Sequence, residues 1–303
     1  MLAILGLMGF AVATLMWTDA DTATDADDQS ASDQLANQDQ ALTTVAIDEI
    51  IASDADRIDG TAANDRITAA EGDNDINGAD GDDVIMANGG NDWVHGGAGD
   101  DILDGGTGND ELHGGTGDDR IDGGDGDDAM MGHTGDDALT GGAGDDSISG
   151  GAGDDTLDGG AGDDNLSGGL GNDTLAGGSG SDALFGGMGD NVLIGNDDSE
   201  ADYLNGSSGD DLLRGGTGDT MTGSGGFDTF AIDADAGAIV LDFDPRDDVI
   251  EVHYVEDATP PDLSVEPTED GSILRANGET VAVFTNGHVV DASLVRLVAG
   301  TVA

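Results

Sequence analysis

From Ile51 to Ile194 the chain divides into sixteen consecutive nine-residue units without an insertion. The eighth position of every unit is aliphatic or Met, from Ile58 and Ile67 through Val94, Met130 and Leu157 to Leu193. Such a residue with one neighbour on each side reads as a three-residue strand whose middle side chain points inward. Glycine recurs at the first, second and fourth positions and predicts a tight loop between one strand and the next. Each unit therefore offers the core a single apolar side chain.

The frame slips by two residues at Gly195-Asn196 and resumes with Asp202 and Leu204, then Asp211 and Leu213. A shortened unit with Asp219 and Met221 follows, and GSGGFDTFA, residues 223–231, ends the series with Asp228 and Phe230. From Ile232 the pattern changes: AIVLDFD, DVIEVHY, ILRANGETVAVF and SLVRLV read as ordinary strands. They predict a separate small β domain over 232–303, with a hairpin at Asn277-Gly278. At the other end, residues 2–17 form an uncharged apolar run and residues 18–50 an acidic linker. The run is short for a spanning helix and long for a signal-peptide core. A membrane anchor or uncleaved export signal, a cleaved signal and a packed helix all stay open for it.

Composition sharpens the question of what holds these units together. The net charge is -59, from 66 acids against 7 bases; there are 54 glycines, no cysteine and 3% aromatic residues. Low hydrophobicity with high net charge ordinarily leaves a chain disordered. A solvated acidic linker, however, has no reason to keep an aliphatic residue at every eighth place over sixteen units. The charge repels nucleic acid, which needs clustered Lys and Arg. Without cysteine there are no disulfides, thiolate metal sites or Cys nucleophile. No H-E-x-x-H, G-x-S-x-G or P-loop occurs.

The sixth position carries the chemistry, since fourteen of the sixteen units have Asp there. Carboxylates beside glycine loops, whose carbonyls can converge, make a hard oxygen donor set suited to Ca²⁺ rather than to zinc or copper. The candidate ligands are Asp83, Asp92, Asp101, Asp110, Asp119, Asp128, Asp137, Asp146, Asp155, Asp164, Asp173, Asp182, Asp211 and Asp219. Asp-Asp pairs such as Asp145-Asp146 recur in unit after unit, which argues against catalysis, because an active site is needed once. The fifth-position Asp is expected to enrich the field for cations or to be simply solvated. Stacked carboxylates about 4.8 Å apart repel by about 3 to 4 kcal/mol at an effective dielectric of 20. The chain is thus expected to be unfolded without metal and folded with calcium.

The unit G-G-x-G-x-D-x-U-x resembles the hemolysin-type calcium-binding repeats of the RTX family. Its nearest copies begin at Gly96, Gly105, Gly114, Gly123, Gly141, Gly150, Gly159, Gly168 and Gly177. The unit at Gly78 has Ala79, and that at Gly132 has His133, in place of the second glycine. The resemblance implies an all-β fold: a parallel β-roll, a right-handed β-helix of nine-residue repeats over 51–231, followed by the small C-terminal β domain. Successive repeats then lie on opposite sides, and repeats two apart stack at the strand spacing. Residues 225–254 resemble the end of RTX proteins, where the last repeat passes into a β domain linked to type I secretion. The expected protein is secreted or attached to the cell surface and folds on meeting calcium outside the cell. It is not an enzyme, and its partners are calcium ions and the secretion apparatus, with membrane attachment through residues 2–17 or self-association as further possibilities. A calcium-dependent adhesin or matrix protein, and the remnant of an RTX enzyme or toxin without its catalytic domain, stand as alternatives.

Overall fold

The structure, a computed structural model, describes residues 50–300 apart from 52–56, 196–198, 235, 256–258, 286, 288 and 289. The apolar run 2–17 and the linker as far as residue 49 lie outside the described residues. Through the repeats consecutive strands alternate between two sheets, which hold thirteen and fourteen strands among the described residues. Along the repeats, sheet neighbours are parallel and two units apart: Ile148 lies opposite Met130 and Leu166, and Leu157 opposite Leu139 and Leu175. This is the expected all-β parallel roll, two units to a coil.

The strands are longer than the three residues expected. Ser147–Ala152 reads SISGGA and Thr156–Ala161 reads TLDGGA, each six residues. The strand runs on into the first glycines of the next unit because identical glycines flank it on both neighbouring strands and pair with it. Alternation survives: Leu157 and Gly159 are buried while Thr156 and Asp158 are exposed. The second glycine keeps a positive φ, +104° at Gly160, and the residues that replace it adopt the same turn, with Ala79 at 87° and His133 at 79°. Between the sheets lies a core one side chain thick, and every eighth-position residue from Ile58 to Leu213 is at most 4% exposed.

The change of composition at Ile232 is not a break in the sheets. Thr229–Asp233 pairs in parallel with Val249–Tyr254, which pairs with Val295–Ala299. In the other sheet Thr220–Gly225 pairs with Ala238–Val240, and that with Glu279–Phe284. The segment expected as a separate domain therefore continues both sheets, its core thickened by Phe230, Phe243 and Phe284. The hairpin at Asn277-Gly278 is present, both residues at positive φ. It turns Ser272–Ala276 antiparallel to Glu279–Phe284, and Leu263–Pro267 closes that sheet. Among the described residues no helix is long and apolar enough to cross a membrane.

Candidate metal centre

Each loop delivers its sixth-position Asp to the rim of the roll. Asp83, Asp101, Asp119, Asp137, Asp155, Asp173 and Asp211 follow one rim, and Asp92, Asp110, Asp128, Asp146, Asp164 and Asp182 the other, all at most 3% exposed. One carboxylate oxygen is spent on the main chain: Oδ1 of Asp101 accepts the N–H of Asp83 at 2.7 Å, and Oδ1 of Asp146 accepts that of Asp128 at 2.8 Å. The same bond, always from the preceding coil, recurs from Asp83 to Asp211.

In twelve of these the second oxygen has no donor. Oδ2 of Asp83, Asp92, Asp101, Asp110, Asp119, Asp128, Asp137, Asp146, Asp155, Asp164, Asp173 and Asp211 is buried without a hydrogen-bond partner. What faces it is glycine. A Cβ on Gly141 would stand 2.2 Å from Asp146 Oδ2 and 2.4 Å from the carbonyl oxygen of Gly159 on the next coil. On Gly159 it would stand 2.4 Å from both Asp164 Oδ2 and the Gly177 carbonyl oxygen. The first glycine is thus required by space, since any side chain there would fill the cradle around the carboxylate.

Burial is the first cause of the raised carboxyl pKa values along both rims. Asp83, Asp101 and Asp110 are pushed up to about 6, and Asp119, Asp146 and Asp155 to about 7. The accepted main-chain N–H opposes the rise, and the neighbouring aspartates add to it. A buried oxygen bearing negative charge, with no N–H donor and glycine carbonyls beside it, is a setting that a cation completes. Among the described residues no three His, Asp or Glu side chains gather where they could hold an ion. Beside each carboxylate the further donors for a cation are main-chain carbonyls, a hard oxygen set that suits calcium better than zinc.

Asp219 makes a different set of contacts. Its unit is one residue shorter, the loop closes tighter, and Oδ2 accepts the Gly216 N–H at 2.5 Å. Asp202, which is not among the expected ligands, sits in the ladder as well: it is 3% exposed and its Oδ1 accepts the N–H of Asp182 at 2.8 Å. The fifth-position acids also do more than carry charge. Asp145 Oδ1 accepts the N–H of Asp163, and Asp136 Oδ1 that of Asp154, both at 2.9 Å. These bonds come from the coil after, whereas those to the sixth position come from the coil before. An Asp-Asp pair thereby ties its coil to both neighbours. The recurrence of Asp or Asn at the fifth position was the available signal, since both tend to accept main-chain N–H groups.

A solution structure of a subunit of the Azotobacter vinelandii mannuronan C5-epimerase is similar at 20% identity, over 62% of this chain and 80% of that one. The TM-score is 0.14. No curated protein matches. The model of the RTX calcium-binding nonapeptide repeat matches in six stretches that together span residues 52–230 without a gap, more than half of the chain. With the repeat, the roll and the rows of buried aspartates agreeing, the chain belongs to the RTX calcium-binding repeat family.

Proposed function

We propose that this is an exported, non-enzymatic RTX protein whose roll is closed by calcium outside the cell. The observation that carries the reading is the row of buried Oδ2 atoms without donors, twelve of them among the described residues. The residues that would hold the ions are Asp83, Asp92, Asp101, Asp110, Asp119, Asp128, Asp137, Asp146, Asp155, Asp164, Asp173, Asp182 and Asp211, together with glycine-loop carbonyls. Calcium, when bound, supplies the positive charge that lets these carboxylates stay ionised while buried. The rest is the chain's own work: Oδ1 holds the preceding coil, the eighth-position side chains fill the core, and the first glycines leave the space.

Export as an unfolded chain by a type I route fits this design, because a low-calcium interior leaves the carboxylate rows repelling one another. The strands after Ile232 would then serve as cap and export segment. Far-UV circular dichroism in chelator and in millimolar calcium tests the central claim: the β signal of the full chain should rise strongly with calcium. An equal signal in both solutions would refute it. A matrix or adhesive role is favoured by one observation, the adjacent exposure of Leu170 and Met188, 52% and 63%, on neighbouring strands. Calcium-dependent light scattering that rises with protein concentration distinguishes this role from a monomeric one.

A further inference from the structure

The sixth position is Asn in two units, Asn74 and Asn191, and the structure shows what the amide does there. Asn191 Oδ1 accepts the Asp173 N–H at 2.9 Å, as an Asp Oδ1 would, so Nδ2 takes the place that Oδ2 takes elsewhere. A Cβ on Gly186 would stand 2.6 Å from Asn191 Nδ2 and 2.7 Å from the Gly206 carbonyl oxygen, the same walls that surround Asp146 Oδ2. From that place Nδ2 donates to the carbonyls of Gly189 at 3.0 Å and, more weakly, Gly206 at 3.5 Å. Asn74 Nδ2 likewise donates to the carbonyls of Ala70, at 3.0 Å, and Gly72. Asp219 reaches the same end by the opposite means, because its Oδ2 receives a main-chain N–H from Gly216.

The loop carbonyls need a positive or proton-donating partner, which the side-chain amide supplies in the two Asn units, while in the Asp219 unit a main-chain N–H satisfies the carboxylate. We infer that Asn74, Asn191 and Asp219 mark rungs closed by the chain's own N–H groups, which take no cation, and that the metal array occupies the carboxylate rows between and beside them. Asn191 divides one rim, with Asp83 to Asp173 on one side and Asp211 on the other. The inference rests on the calcium reading of the carboxylates.

The test measures bound calcium per chain by elemental analysis after equilibrium dialysis of the full-length protein in saturating calcium. Asn191→Asp is expected to gain one ion over the unmodified chain, Asn74→Asp to gain one at the other end of the roll, and Asp146→Asn to lose one. If the unmodified chain binds calcium but neither Asn→Asp variant binds more, the inference is overturned and the calcium reading stands. If the unmodified chain binds no calcium at all, the calcium reading fails. Should Asn191→Asp not fold in calcium, Asn74→Asp decides.

Discussion

Acid should partly replace calcium. Protonating a buried sixth-position carboxyl removes its charge and gives Oδ2 a proton to donate to the glycine carbonyls, as the amide of Asn191 does. Asp119, Asp146 and Asp155 rise from an ordinary 3.8 to about 7, and Asp83, Asp101 and Asp110 to about 6, chiefly through burial. Because the folded values lie above the unfolded one, the metal-free roll binds more protons than the open chain between about pH 4 and 7. Its stability is therefore greatest below about pH 4 and is lost as the pH rises through 6 to 7. A rise from 3.8 to about 7 corresponds to about 4 kcal/mol per carboxyl. Water at the rim screens the charge and roughly halves that figure. Six carboxyls at about 2 kcal/mol each reach the order of a whole domain's stability, about 5 to 15 kcal/mol, so the effect is large enough to see. Circular dichroism of the full chain in chelator, titrated from pH 8 to pH 5, should show the β signal growing. The transition should be broad, since neighbouring carboxyls interact and share their protons. Calcium binding near pH 7 should release protons and weaken toward pH 5.5. Replacing Asp119, Asp146 and Asp155 together by Asn should flatten the upper part of the transition while leaving most of the net charge. A metal-free chain equally unfolded at pH 5 and pH 8, or calcium binding without proton release, would refute the reasoning.

Three further outcomes follow from individual positions. Gly150→Ala places a Cβ about 2.2 Å from Asp155 Oδ2 and 2.7 Å from its Cγ, and should abolish calcium binding at that rung, read as one ion fewer by dialysis. Leu157→Ala leaves every carboxylate in place but empties part of a core one side chain thick, and should cost about 2 to 5 kcal/mol in urea unfolding of the calcium form. His133→Gly relieves a non-glycine residue at φ 79° and should raise the melting temperature of the calcium form, by about 1 kcal/mol in stability; an unchanged or lower value would show that the turn stores no strain.

The sequence by itself determined whatever repeats. A unit that recurs every nine residues with Leu157 or Ile148 in the same place must present the same face each time, so the single-file core was legible from spacing, and the roll with its two-unit coil from the resemblance to the RTX repeats. The sixth-position Asp was legible as well, because carboxylates among glycines point to a hard cation. Tertiary structure decided what depends on the neighbouring coil. That Gly159 continues a strand, that Asp145 and Asp146 hold opposite neighbours, and that Asp219 meets an N–H while Asp146 Oδ2 meets none are facts about groups brought together only by winding. The continuity of the sheets past Ile232 belongs with them. A change of composition alters which side chains fill the core, but the open main-chain N–H and C=O groups at the end of a parallel roll still require partners, and the cap supplies them.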